Sequence, residues 1–376
     1  ISILTIIYSI TRFVSMDIPY FFVGFYKFQN YARQNRKSVI YWFCIYLKEY
    51  LRHLSAAGGF FCPLISKQGD SMTTDQMSPL IAADPAGVLE SDRRHYFRQV
   101  EQTAEIIAAN ALRRPIVLLA GPSGSGKTTT ALLIERELER RGLQTHTLQM
   151  DDYFSPLSEE EKQLLRENKL DLEKPTRVDI PFFQQQLDEI LAGSEIRLPH
   201  YNFKDSRREF DGRTLRRRPG ELVIMEGIHA LNPMVTGHAA DTTRVYVSVR
   251  TRVTASDGKV LHPSKIRLAR RLLRDRTGRG RPLSATIGMR PRVDAGEQMY
   301  IMPFKQHAHC SVDSFYSIEL SIYRPYLLDD LRALLPEYPD LSDLVQVMQE
   351  LPPISSGLLP RDSLLREFVG GSELPY

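Results

Sequence analysis

Gly121-Pro-Ser-Gly-Ser-Gly-Lys-Thr128 matches the pattern G-x-x-x-x-G-K-[ST] at every fixed position. Glycines at 121, 124 and 126, with Ser123 and Ser125 between them, let backbone N–H groups turn inward around phosphate oxygens. A helix opening at Thr128, with Thr129 in its first turn, would add its positive N-terminal end. Lys127 would offset β- and γ-phosphate charge, and the Thr128 hydroxyl would ligate Mg²⁺. The chemistry these types and spacings point to is nucleoside-triphosphate binding, with ATP and Mg²⁺ as the expected ligands.

Two carboxylates can share that site. Asp151 follows the expected strand 145–150 and is the expected general base for an acceptor hydroxyl. It also lies within reach of the metal. Asp152, its neighbour, reads equally well as a turn residue or cap. Glu226 closes the apolar run Leu222–Met225, where a carboxylate would hold Mg²⁺ directly or through water.

These residues need strands that end on one crevice. Pro115–Ala120 is a continuous apolar run of the kind that buried parallel strands show. Further strands are expected at 145–150, 222–225 and 243–249, with helices at 91–113, 128–141, 158–168, 181–192 and 263–276. Strands alternating with helices predict an α/β fold, a doubly wound parallel sheet of the P-loop NTPase kind. Residues 72–90, with Pro79 and Pro85, read as a linker, 91–325 as the core, and 326–376 as a helical C-terminal extension.

The chain has 376 residues and a net charge of +4, with 42% hydrophobic and 25% charged residues, which excludes collagen, coiled coil and wholesale disorder. Charge is uneven. Residues 1–71 hold eight basic and three acidic residues and 16 of the 35 aromatics, leaving 41 basic and 42 acidic residues in the other 305. The basic balance is therefore no evidence for a nucleic-acid partner. This first segment has no uncharged run long enough to span a membrane. Its abrupt boundary near Met72 predicts that it is not part of the working protein, with attachment to a membrane surface as the alternative. Three cysteines (Cys44, Cys62, Cys310) cannot form a disulfide framework, which fits a reducing, cytoplasmic compartment.

The phosphate loop, Asp151-Asp-Tyr-Phe154, Leu198-Pro-His-Tyr-Asn-Phe203 with Arg207-Arg208, Glu226-Gly-Ile228, and Arg270-Arg-Leu-Leu-Arg-Asp275 with Arg279-Gly280 resemble the uridine kinase and phosphoribulokinase family, in the family's order. Gly296-Glu-Gln-Met-Tyr-Ile-Met-Pro303 and Leu364-Leu-Arg-Glu-Phe-Val-Gly-Gly-Ser372 are similar to a bacterial branch of uridine kinase-like proteins that carry an N-terminal TGS region, which is not recognisable here. The resemblance covers roughly residues 92–376. It implies an ATP-dependent kinase acting on the 5′-OH of a nucleoside such as uridine or cytidine, with Asp151 as base. Tyr201 and Phe203 look like the aromatics that hold the nucleobase, Phe154 like a further part of that wall, and Glu173 like the ribose ligand. The histidine expected after Tyr-x-Phe is absent, since Lys204-Asp-Ser206 stands there, and the His-Pro-Asp pattern reads Lys-Pro-Thr.

The basic run Lys265–Arg281 then reads as an arginine lid over the transferring phosphoryl group, with Arg270 and Arg274 expected on phosphate and Arg267 next. A solvated helix face or nucleic-acid contact is the alternative. His307-Ala-His-Cys310 lacks a distant fourth ligand and is a weak zinc signal. Lys204, Arg207 and Arg208 keep a sugar-phosphate kinase open, and a non-catalytic nucleotide-binding regulator is the non-enzyme alternative. A homo-oligomer also stays open.

Overall fold

A computed structural model describes residues 71–376 except 168, 238–240 and 376; the aromatic, basic segment through residue 70 lies outside the described residues. The central sheet has five strands: β1 (Ile116–Ala120), β2 (Thr145–Gln149), β3 (Leu222–Glu226), β4 (Thr242–Ser248) and β5 (Cys310–Asp313). Their order is β5-β4-β1-β3-β2 and every pairing is parallel. All of β1 and β3 is buried, as expected for central strands covered on both faces. Side chains alternate between two cores. Val117 and Leu119 enter one, whereas Ile116, Leu118 and Ala120 enter the other.

The helices include α1 (Thr74–Ala83), α2 (Pro85–Asn110), α3 (Lys127–Arg140), α4 (Glu159–Arg166), α5 (Ile180–Ala192), α6 (Pro263–Arg279), α7 (Leu283–Tyr300), α8 (Glu319–Leu334), α9 (Ser342–Glu350) and α10 (Arg366–Val369), with one further turn at Pro233–Thr236. Helices α2, α3, α6 and α8 contribute to the first core and α5 to the second, which makes the α/β sheet doubly wound. β5 is an addition to the four expected strands. Its sequence Cys-Ser-Val-Asp alternates instead of running apolar, because it is an edge strand.

Residues 72–90 are not the linker their prolines suggested. Thr73 caps α1 reciprocally with Gln76, and Asp84 accepts from the Gly87 amide at 2.9 Å to cap α2, where Pro85 occupies the first turn. Met72, Met77, Ile81, Val88 and Leu89 are buried in the first core. The C-terminal helices join the same core through Leu331, Leu344, Val347, Leu364, Leu365 and Phe368. No helix among the described residues is long and apolar enough to cross a membrane.

Candidate active site

The phosphate loop leaves β1 at Ala120 and enters α3 at Lys127. Gly124 and Gly126 stand at φ +73° and +81°, the left-handed region that side chains disfavour. Gly121 is required for a different reason: a Cβ there would lie 2.0 Å from the Val247 carbonyl oxygen of β4. The Ser125 side chain is fully buried, and its hydroxyl finds no hydrogen-bond partner among the described residues. A buried donor left open inside a ring of backbone amides fits a phosphate. Ser123 is half-buried at the rim of the loop.

β3 flanks the loop on the side of β2. Leu119 of β1 and Gln149 of β2 are both paired with Glu226, so the ends of the three strands lie level. Thr128 Oγ1 donates to Glu226 Oε1 at 2.9 Å. Burial lifts the Glu226 carboxyl to about 7; Lys127 opposes that rise and Asp151 adds to it. Asp151 sits in the helical turn Met150–Tyr153 just beyond β2, within electrostatic reach of Glu226. Lys127, Thr128, Glu226 and Asp151 are thereby brought together. A hydroxyl and a carboxylate in contact at a phosphate loop are the oxygen donors Mg²⁺ takes in such sites. Thr129 faces away from this pair, and its hydroxyl donates to Glu367 Oε2 of α10 at 2.6 Å. Leu364 closes against Gly126, where an added Cβ would meet its Cδ1 at 2.7 Å.

The arginine run is a packed helix, not a free flap. Ile266, Leu268, Ala269, Leu272 and Leu273 of α6 are buried. Arg270, expected on phosphate, is 0% exposed. Its Nε and Nη2 donate to Glu319 at 2.7 and 3.0 Å, Nη2 donates to the Ser314 carbonyl at 2.6 Å, and Nη1 donates to the Gly124 carbonyl at 3.2 Å. It braces the phosphate loop from behind. Arg267 is likewise engaged, clasping Glu297 at 2.5 and 2.6 Å and donating to the Ser123 carbonyl at 3.1 Å. Arg274 is part-exposed, 3.9 Å from Glu367. Two arginines of the run keep a buried nitrogen without a hydrogen-bond partner among the described residues, Arg271 at Nη2 and Arg274 at Nε; burial pulls the Arg271 pKa down while Glu297 and Glu173 oppose the fall. The Arg271 stem lies on Gly124. Residues 270 and 271 differ by 100° of helix phase, which the run of arginines alone does not disclose.

Beyond Asp151 lies a polar cluster. Glu173 is buried with Oε2 unpartnered, and burial together with Glu297 lifts its carboxyl to about 7. Its Cβ leaves no room for a side chain at Gly296, where an added Cβ would sit 2.4 Å away. His229, missed in the sequence although it lies three residues after Glu226, is buried beside the backbone of Glu173, Lys174 and Tyr300, and burial pulls its pKa down to about 4. Phe154, Tyr201 and Phe203 form one aromatic group, with ring centroids 5.6, 6.3 and 5.1 Å apart. Phe203 is exposed while Tyr201 is buried, its hydroxyl accepting from Arg177 at 3.2 Å. Asp152 serves the backbone, accepting the Tyr201 amide at 3.0 Å. His309 is bonded to Arg244, and no group of three or more metal-ligating side chains occurs among the described residues.

A family model described as the phosphoribulokinase / uridine kinase family matches residues 116–321, which span every strand of the sheet, the phosphate loop, Asp151 and Glu226. The uridine kinase of Streptococcus equi subsp. zooepidemicus is 30% identical over 202 residues, covering 52% of this chain and 86% of that protein. The uridine kinase of Lactiplantibacillus plantarum is 27% identical over 215 residues, 57% of this chain and 93% of its own length. A solved structure of a possible uridine kinase from Bacillus stearothermophilus superposes with a TM-score of 0.34 at 16% identity, covering 56% of this chain and 98% of that one. With a matched model over more than half its length and a phosphate loop, Asp151 and Glu226 on adjoining strand ends, the chain belongs to the phosphoribulokinase and uridine kinase family.

Proposed function

We propose that this kinase transfers the γ-phosphoryl group of ATP to a primary hydroxyl of a nucleoside-like acceptor. The observation that carries the reading is the convergence of Lys127, the Thr128–Glu226 pair and Asp151 at the level ends of three adjoining strands. Asp151 takes the proton of the acceptor hydroxyl as its oxygen bonds to the γ-phosphorus. The bond from that phosphorus to the bridging oxygen breaks, and ADP departs with the electron pair. Lys127 and Arg271, joined by the part-exposed Arg274, draw off negative charge from the transferring group. Thr128 and Glu226 would hold Mg²⁺, which when bound neutralises β- and γ-phosphate oxygens. Glu173, His229 and the Phe154–Tyr201–Phe203 group are the acceptor contacts: polar groups for hydroxyls and an apolar wall for a flat ring.

Engagement of the basic residues favours a nucleoside over a sugar phosphate. Arg208 pairs with Asp179 at 2.9 Å and stacks on Phe182, while Arg207 pairs with Glu209 at 2.6 Å. Arg207 is held by a carboxylate, and Arg208 keeps only Nη1 without a partner among the described residues. The test is ATP consumption against a panel of nucleosides and sugar phosphates. Turnover with nucleosides supports the proposal, turnover confined to sugar phosphates replaces the acceptor, and activity on none favours a nucleotide-binding regulator.

A further inference from the structure

On the other flank of the phosphate loop lies a cavity of about 530 Å³. In the strand order β5-β4-β1-β3-β2, Asp151 and Glu226 stand toward β2, whereas this cavity lies toward β4 and β5. Its walls include Pro122 of the loop, Arg250 and Arg252 after β4, His262 at the head of α6, and Lys305 and His309 before β5. Arg267 completes one side, and no Asp or Glu is among the lining residues.

The positive charge here is not spent internally. The Arg250 guanidinium donates to the Ser311 hydroxyl at 2.8 Å, a neutral partner. Arg252 and Lys305 form no ion pair among the described residues, and both are exposed. Only Arg267 is neutralised, by Glu297, and that pair separates the cavity from Glu173 and the acceptor cluster. His262 registers the resulting field: burial and then the charges of Arg267 and Arg252 push its pKa down, while Asp294 and Glu297 pull the other way. Other surface arginines, such as Arg207, Arg213 and Arg276, are paired with carboxylates. Three unpaired cations line one nucleotide-sized hollow with no carboxylate among them, and their summed field favours an anion there.

We infer that this groove is a second anion site, built for a phosphorylated small molecule of nucleotide size and distinct from the donor site in the phosphate loop. Arg250 and Arg252 supply planar donors for phosphate oxygens, and Lys305 a mobile point charge. Hydroxyls of Ser264 and Ser311 line the same cavity and suit the remaining oxygens.

The test uses the full chain saturated with Mg²⁺ and a non-hydrolysable ATP analogue, so that the phosphate loop is filled. Inorganic pyrophosphate is then titrated by calorimetry. Binding to the saturated wild type, weakened at least tenfold in R252E/K305E and less in R252Q/K305Q, with an unchanged KM for ATP, is the expected result. Both positions are exposed, and thermal melting confirms that each variant is folded. No pyrophosphate binding at saturation, or binding that the variants leave unaltered, overturns the site. A rise in the KM for ATP in the variants also overturns it, because the groove is then part of the donor site.

Discussion

Arg270→Met separates two roles that the sequence makes look alike. An arginine on the transferring phosphoryl group would be dispensable to folding. Arg270 is instead fully buried and spends its guanidinium on Glu319, Ser314 and the Gly124 carbonyl. Burial alone would lower its pKa, and Glu319 reverses that. Removing the cation leaves Glu319 buried and unpaired, a loss of about 3–5 kcal/mol. For a body of this size that lowers the melting midpoint by on the order of 10 °C. Arg271→Met should do the opposite, leaving the midpoint within about 2–3 °C of wild type while kcat falls by roughly 10²–10³, the cost of one donor to a developing charge. The double variant R270M/E319M, which removes both charges, should recover much of the stability lost in R270M. Differential scanning fluorimetry and steady-state kinetics on the three proteins decide it. An R270M protein that melts like wild type yet has lost kcat would refute the bracing role.

Asp151→Asn should leave ATP affinity intact and lower turnover by about 10²–10⁴, the usual worth of a positioned base; measurable wild-type turnover would remove Asp151 from that role. Glu226 titrates near 7 in the free protein, and the metal requires its ionised form, so Mg²⁺-dependent binding of an ATP analogue should weaken as pH falls below 7 and stay level above it. Glu226→Gln should bind weakly and without that slope in the same calorimetric series. Asp92, buried against Ser317, is lifted by burial to about 7 from 3.8. The folded state therefore holds a proton that the unfolded state has lost between those values, and the stability it contributes fades as pH rises toward 7. Asp92→Asn should gain on wild type across that interval in denaturant melts, and parallel curves would exclude the linkage. Gly126→Ala, at φ +81° and facing Leu364, should lose nucleotide binding.

The residues legible in advance were those whose identity is dictated locally. The loop glycines answer to backbone geometry, and the runs at 116–120 and 222–226 to burial on both faces of a sheet. The tertiary partners were not legible. Whether Arg270 or Arg271 turns inward depends on which stripe of α6 packs, and Glu297 and Glu319 come from helices far along the chain. His229 gave no signal because a histidine beside a strand end looks the same whether bonded or not. The helices at 74–90 were readable. Thr73 with Gln76 and Asp84 before Pro85 are start signals, and Pro85 stands in a first turn, where a helix tolerates proline.

Glu367 and Leu364 reach the first turn of α3 from 238 residues further along the chain. On the ribosome the sheet strands through β5 emerge well before that segment does. The phosphate loop can therefore be translated, and even flanked by its neighbouring strands, while the support behind Thr129 and Gly126 is still unsynthesised. The Leu364 contact and the Glu367 hydrogen bond behind the loop form only when residues 364–368 arrive. A chain stopped short of Leu364 would carry the whole sequence motif without the Glu367 hydrogen bond to Thr129 and the Leu364 packing on Gly126.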